Sequence, residues 1–247
     1  MKFSRFLVLL IMYSLLAYYI AEFVPWIKLP NLRHHNLRMF LIGLGISFPL
    51  WIFFISRLSF FNTFEHELTH LLTALLFLKK PKKFIASDGE GGLIAYTGGG
   101  NFLIALAPYF FPTFTYLFLP FFALVKSQFF PHCYLLLGFL TGYHLFSTMA
   151  EFSLQQPDIW KTGTLFSILF LIPAFIITHL FILVFVLGYW TSLKNYVLSA
   201  FISLFQLIKG LLQHGKELSC HISLLTYVDF EKETHRITRF TTSNRFY

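Results

Sequence analysis

Long apolar runs are the feature that most constrains how this chain can fold. Seven stretches reach or approach the roughly 20 apolar residues that a helix needs to cross the hydrocarbon core of a bilayer. They lie at 6–24, 37–60, 63–78, 102–125, 130–149 and 165–190, with a weaker one at 196–212. Because 56% of the residues are hydrophobic and only 12% are charged, a soluble fold would have to hide far too much apolar surface. We therefore predict an all-α polytopic membrane protein with about six or seven transmembrane helices.

The first apolar run has two interpretations. It follows a short basic segment with Lys2 and Arg5, as the apolar part of a secretory signal does. The run is long, however, and no small-residue cleavage site follows it before Pro25, which favours an uncleaved membrane anchor. We therefore include it among the transmembrane helices.

The net charge of +8 indicates an orientation in the membrane rather than a nucleic-acid partner. The basic residues lie in short loops between apolar runs and form no aromatic-interleaved stripe, so no nucleic-acid binding is predicted. The positive-inside rule places most of these loops in the cytoplasm. Residues 1–212 then form an integral membrane domain, and the polar, basic tail 213–247 lies in solvent or on anionic lipid headgroups.

The stretch "FIASDGEGGLIAYTGGGN", residues 84–101, interrupts the helical pattern. Glycine clusters bracket the short apolar run Leu93, Ile94, Ala95 and Tyr96, which is typical of a strand or hairpin, although a plain surface loop is the alternative. An open strand edge cannot face lipid, so the segment must lie at the interface or line a cavity within the protein. Such an edge can pair with an extended peptide.

The sequence "HELTH", from His66 to His70, has the pattern HExxH. On a helix the two histidines lie one turn apart on the same face, where both imidazoles can bind one zinc ion. The adjacent Glu67 can take a proton from a zinc-bound water. Asn62 and Glu65 have the spacing of a capping box, which predicts that the helix begins just before the motif.

The apolar surroundings of the motif strengthen the metal interpretation. Each ionisable side chain inside a span costs roughly 2.5 to 3.5 kcal/mol on insertion scales, and a metal ion would compensate a cluster of them. The alternative is a solvated, inert cluster in the headgroup layer at the start of a helix.

A catalytic zinc needs a third protein ligand. Asp158 is the first choice, because Pro157 can start a helix there just ahead of the apolar run 165–190. Glu151 is the second choice, so that the site is His2Asp or His2Glu. Asp158 also has a purely structural interpretation, as a carboxylate favoured by the dipole at a helix start. The remaining acidic candidates are Asp88 and Glu90 in the glycine-rich segment and Asp229 in the tail.

These residues resemble the motifs of the intramembrane zinc metalloproteases of the site-2 protease family, peptidase family M50. "HELTH" matches the first family motif fully, whereas "QPDIWKTG" matches the third-ligand motif loosely, with its glycine displaced to Gly163. The resemblance implies that His66, His70 and Asp158 hold Zn2+ and that the protein cleaves transmembrane segments of other membrane proteins. It also implies a bacterial cytoplasmic membrane, with the active site toward the cytoplasmic side.

The resemblance extends to "GGGNFLIALAPYFFP". By similarity, Asn101 would help hold the substrate or its reacting carbonyl, whereas a helix N-cap is the alternative role. His144 and Glu151 are further residues that would orient a ligand or assist the reaction, although His144 also fits a simple packing role.

The mechanism expected from these residues is hydrolysis by a metal-activated water. Glu67 would take the proton of that water as it attacks a peptide carbonyl. The substrate, a locally unwound transmembrane segment, would dock as an added strand on residues 93–96. The alternatives are a His2Glu protease that uses Glu151, or a membrane scaffold or transporter with a structural metal site.

Overall fold

The computed structural model describes residues 3–24, 35–53, 59–87 and 91–243. Helices dominate this part of the chain, and one two-stranded sheet accompanies them. The helices are α1 (Phe3–Phe23), α2 (His35–Phe53), α3 (Ser59–Leu76), α4 (Phe102–Leu106), α5 (Thr113–Phe118), α6 (Phe130–Glu151), α7 (Pro157–Thr162) and α8 (Thr164–Ser243). Short 3-10 helices lie at Ala107–Tyr109, Leu119–Ala123 and Ser127–Phe129. The strands are β1 (Pro81–Ser87) and β2 (Gly91–Tyr96).

Four helical stretches of the described residues are long and apolar enough to cross a membrane: Phe3–Phe23, His35–Phe53, Ser127–Glu151 and Thr164–Ser199. A fifth span results if the pair Phe102–Tyr109 and Thr113–Ala123, bent by 86°, is one span. The prediction of six or seven is higher for two reasons. The polar motif lowers the hydropathy of α3, and the run at 196–212, which a break at Tyr189 (φ 61°, ψ −163°) separates from the run 165–190, is not among the stretches that are long and apolar enough.

The chain divides into two compact units, Met1–Val197 and Leu198–Tyr247. The first unit contains α1 to α7, the hairpin and the start of α8. The second is helical backbone as far as Ser243. The side chains of 211–247 lie outside the described ones, as does the third-ligand candidate Asp229.

Two hydrophobic cores organise the first unit. The first core joins α2, the 3-10 helix Leu119–Ala123, α6 and α8 around buried aromatic residues such as Phe40, Phe122 and Phe185. The second core joins α1, α4, α7 and α8, and Ile159 on α7 is fully buried in it. Because Ile159 adjoins Asp158, this second core fixes the position of that carboxylate.

Helices α2 and α6 approach each other closely at small residues. A Cβ atom placed on Gly138 would overlap the carbonyl of Phe40, and one placed on Gly43 would overlap the carbonyl of Leu135. Small residues at such contacts let the backbones of membrane helices pack by van der Waals contact. The contact holds α6, which carries His144 and Glu151.

The glycine-rich segment forms the predicted hairpin rather than a plain loop. Strands β1 and β2 are antiparallel, with Phe84 opposite Ile94. The hairpin packs on α3, where the rings of Phe84 and Phe64 meet edge to face with centroids 5.9 Å apart. The residues between the strands, including the third-ligand candidates Asp88 and Glu90, lie outside the described part of the chain.

Candidate metal centre

Helix α3 places both motif histidines on one face, as their spacing predicts. The ring centroids of His66 and His70 are 4.8 Å apart. The predicted helix start is wrong, because α3 already begins at Ser59 and Asn62 lies inside it. Asn62 therefore caps nothing. Its side-chain oxygen accepts a hydrogen bond of 3.1 Å from the hydroxyl of Tyr143 on α6.

Three ligand atoms from α3 and α7 converge on one point. The Nε2 atoms of His66 and His70 are 3.2 Å apart. The Oδ2 atom of Asp158 lies 3.5 Å from Nε2 of His66 and 3.3 Å from Nε2 of His70. A tetrahedral ion with bonds of about 2.0 to 2.2 Å holds its ligands about 3.3 to 3.6 Å apart. The two histidine–aspartate distances lie within this range and the histidine–histidine distance is 0.1 Å below it, so the three atoms are spaced like one face of a tetrahedral metal site.

The outer nitrogens of the two imidazoles keep the inner ones available as ligands. Nδ1 of His70 lies 2.7 Å from the carbonyl oxygen of Ile104, which can only accept, so Nδ1 carries a proton. Nδ1 of His66 faces Oε2 of Glu151 at 3.8 Å. With Nδ1 protonated, Nε2 of a neutral imidazole directs a lone pair at the centre, the tautomer that metal-binding histidines use.

Helix α7 holds Asp158 at the cleft. Pro157 occupies the first turn of this helix, as predicted, and Gly163 ends it with a positive φ of 103°. Burial raises the pKa of Asp158, but hydrogen bonds from His66 and His70 outweigh this effect and hold the pKa below its usual range. A cation bound at this point would take the place of any proton on Nε2 of these histidines.

Glu151 has a different position from Asp158. Its carboxylate is on the Nδ1 side of His66, away from the point where the three ligand atoms meet. A carboxylate in that position orients a metal-binding imidazole instead of binding the metal. Of the two acids proposed as the third ligand, the geometry favours Asp158.

Glu67 lines a cleft of about 630 Å³ together with His66, His70 and Asp158. The side chain is 8% exposed, and β2 passes directly over it. A Cβ atom placed on Gly92 would overlap the Glu67 side chain, so only glycine permits this close approach.

Strand β2 forms one wall of the cleft. Gly91, Gly92, Leu93 and Ile94 line it, so two of the five residues predicted to bind substrate line the cleft. Since the sheet of the described residues has two strands, β2 pairs with β1 along one edge only. Tyr96 lines an adjacent cavity of about 380 Å³. Ala95 lines neither space in the described part of the structure.

Asn101 is the N-cap of α4. Its side-chain oxygen accepts a 2.9 Å hydrogen bond from the backbone N–H of Ile104. The residue also lines the 380 Å³ cavity, which it shares with Tyr96 and Asp158. The structure thus gives Asn101 the capping role, and it lies close to the centre without lining the main cleft.

His144 contacts Glu65, a pairing that the sequence did not predict. Its Nδ1 atom lies 3.5 Å from Oε1 of Glu65, and both side chains are buried. Glu65 directly precedes the motif. A carboxylate within an apolar run needs a partner, and this feature of the sequence could have indicated the contact. Tyr109 was missed as well, although its ring packs edge to face on His66 with centroids 5.4 Å apart.

The chain was compared with protein-family models, with curated proteins and with solved structures, and none of them matches it.

Proposed function

We propose that this protein is a zinc-dependent intramembrane endopeptidase, similar to the site-2 protease family, that cleaves transmembrane segments of other membrane proteins. The single observation that carries the proposal is the convergence of His66, His70 and Asp158 at tetrahedral spacing beside Glu67. An HExxH helix with a third ligand from another element is the arrangement of a catalytic zinc site.

The ligand set fits zinc. Two imidazole nitrogens and one carboxylate oxygen are the three protein ligands of many hydrolytic zinc sites, in which the fourth position stays open. When bound, zinc would polarise a carbonyl oxygen and lower the pKa of a water toward 7. Glu151 and the carbonyl of Ile104 support the two histidines from behind.

Glu67 acts as the general base and then as the general acid. It takes a proton from the attacking water and returns it to the amine that leaves. Its carboxylate lines the same cleft as the metal ligands without belonging to the ligand cluster. Gly92 holds β2 close to this carboxylate and so restricts its position.

The substrate lies along β2. A helix hides its carbonyls in hydrogen bonds, so the segment must unwind before hydrolysis. The unwound segment would add to the hairpin as a further strand, with Gly92, Leu93 and Ile94 facing it along the cleft. The enzyme would act in a bacterial cytoplasmic membrane, with the cleft toward the cytoplasmic side and lipid around the apolar helices.

The decisive test is the variant Glu67→Gln in liposomes that contain zinc and a library of single-span peptides. Mass spectrometry would detect fragments cut within the apolar segments. The wild type should cleave, whereas Glu67→Gln should not, although it keeps about one zinc per chain. Glu22→Gln is the matched control, because Glu22 is exposed on α1, and it should cleave like the wild type.

Two outcomes would contradict the proposal. Cleavage by Glu67→Gln at the wild-type rate would exclude Glu67 as the general base. A wild type that holds zinc but cuts no peptide would favour a scaffold or transporter with a structural metal.

A further inference from the structure

The cavity of about 380 Å³ shares a wall with the cleft of the metal centre. Pro157, Asp158 and Lys161, all on α7, line both spaces. Strand β2 connects them as well, because Ile94 lines the cleft and Tyr96 lines the cavity. A peptide segment that lies along β2 beside the metal centre can therefore continue into this cavity.

Two basic side chains line the cavity, and neither forms an ion pair with a carboxylate of the described residues. Arg5 reaches it from the first turn of α1, and its guanidinium lies over the Phe166 ring, 5.2 Å from the ring centroid. Lys161 is exposed, and its ammonium lies 5.5 Å from the centroid of the Trp160 ring. An aromatic ring holds a cation in place without neutralising its charge, so both groups keep donors for an anion.

Asp158 is the acidic residue among those that line the cavity in the described part of the chain, and its carboxylate is already engaged. Its Oδ2 atom lies 3.5 Å and 3.3 Å from the Nε2 atoms of His66 and His70. A cation bound at that point would offset the charge of this carboxylate. The positive charges of Arg5 and Lys161 are then left uncompensated, and a cavity with such an excess attracts anions.

The chemistry of the cavity favours a carboxylate. A guanidinium matches the two oxygens of a carboxylate with parallel N–H donors, and an ammonium adds a further charge-assisted bond. Arg5 is half-buried and Lys161 is exposed, so a ligand can reach both groups. A polypeptide substrate brings carboxylates as aspartate or glutamate side chains.

We propose that this cavity is a substrate subsite in which Arg5 and Lys161 bind an acidic side chain about four residues from the scissile bond. This inference rests on the proposed protease function. The distance follows from β2, where Gly92 lies against Glu67 and Tyr96 is four residues farther along. Paired strands advance equally, by about 3.3 Å per residue. Because acidic residues are rare inside membrane spans, the subsite selects bonds near one end of the substrate's apolar segment.

The test uses single-span peptides in phosphatidylcholine liposomes, cleaved in the presence of zinc. One aspartate is moved through the five positions on each side of the cut bond, and each peptide is compared with its asparagine counterpart. In the wild type, a position about four residues from the bond should give a kcat/KM ratio of about 10 for aspartate over asparagine. In Arg5→Gln and in Lys161→Gln this ratio should fall toward 1.

The matched controls are Arg38→Gln and Lys126→Gln. They remove the same charges from exposed side chains that line neither the cleft nor the cavity, so the ratio should stay near that of the wild type. The ratio separates binding of the acid from a structural role. A merely structural loss in Arg5→Gln would lower kcat/KM for both peptides equally and leave the ratio unchanged, which would overturn the inference.

A binding measurement makes the inference independent of turnover. Glu67→Gln in phosphatidylcholine nanodiscs should bind the fluorescent aspartate peptide about tenfold more tightly than the asparagine peptide. Adding Arg5→Gln to this variant should remove the difference. If the wild type cuts no peptide, the protease function fails, and these two Kd ratios still decide whether the cavity binds a carboxylate.

Two other results would overturn the inference. One is a wild type with no preferred aspartate position, or a preference that persists in both Arg5→Gln and Lys161→Gln. The other is a rate that rises with phosphatidylglycerol in the liposomes, depends on Arg5 and Lys161, and is the same for aspartate and asparagine peptides. That result would assign the cavity to the phosphate of a lipid headgroup.

Discussion

Replacing Gly92 by alanine should displace the general base without touching a metal ligand. The backbone of Gly92 has no positive φ, so alanine is compatible with its conformation, and the effect comes from the side chain alone. A Cβ atom there would lie 2.6 Å from Cδ of Glu67. It would also lie too close to the Oε1 and Cγ atoms of the same side chain. Ordinary carbon contacts are about 3.5 to 4.0 Å long, so Glu67 must move by about 1 Å.

A displacement of about 1 Å in a catalytic group costs about 100-fold in rate, which corresponds to about 2.7 kcal/mol in the activation barrier. We expect Gly92→Ala to reduce kcat by about this factor. The zinc content should stay near one per chain, because Glu67 is not among the residues of the ligand cluster.

The assay is the cleavage of a single-span peptide in liposomes, with the zinc content measured on the same preparation. The matched control is Gly99→Ala, because a Cβ atom at Gly99 meets no atom within 4 Å. It should cleave like the wild type. Equal rates for the wild type and Gly92→Ala would refute the inference that β2 restricts Glu67, as would a loss of zinc in Gly92→Ala.

Three further predictions follow from the same geometry. His144→Ala removes the side-chain contact of the buried Glu65 carboxyl and leaves it only the backbone N–H of Phe114, so it should lower the free energy of unfolding by about 1 to 3 kcal/mol while zinc stays bound. Unchanged denaturation would contradict the pairing. Gly138→Ala should lower the unfolding temperature in detergent, because the new methyl group overlaps the backbone carbonyl of Phe40. The control Gly45→Ala places its methyl group in open space and should unfold like the wild type. Equal unfolding temperatures for the two variants would argue against close packing of α2 and α6. The zinc affinity should fall as the pH drops, because protons compete with the metal for the imidazole nitrogens, while the pKa of Asp158, held below its usual range, keeps this carboxylate ionised. Zinc titrations between about pH 5 and 8 should show this fall, and an affinity that does not change with pH over that range would contradict it.

The local parts of the centre were predictable from the sequence because their geometry is set by helix periodicity. His66 and His70 share a face wherever "HELTH" is helical, and Pro157 marks the start of the helix that carries Asp158. The hairpin was predictable because glycine clusters bracket its second strand. The helix start at Asn62 was wrong because Ser59 and the two residues after it continue the helix by another turn.

The long-range parts of the centre were not predictable in this way. Whether Glu151 or Asp158 faces the imidazole Nε2 atoms depends on how α6 and α7 pack against α3, which no local pattern encodes. The contact of Tyr109 with His66 arises in the same way, since 43 positions separate the two residues along the chain. The span count differed because a hydropathy pattern does not show that the run 102–125 bends by 86°.

The zinc content of the purified protein tests the central claim most directly. The measurement compares the wild type with Asp158→Ala and Glu151→Ala, each purified in detergent without chelators and supplied with zinc. We predict about one zinc per chain in the wild type, loss of zinc in Asp158→Ala, and zinc retained at saturating concentration in Glu151→Ala, because Glu151 supports a ligand and does not bind the metal. A wild type without zinc, or an Asp158→Ala variant that binds zinc as the wild type does, would contradict a metal centre formed by His66, His70 and Asp158.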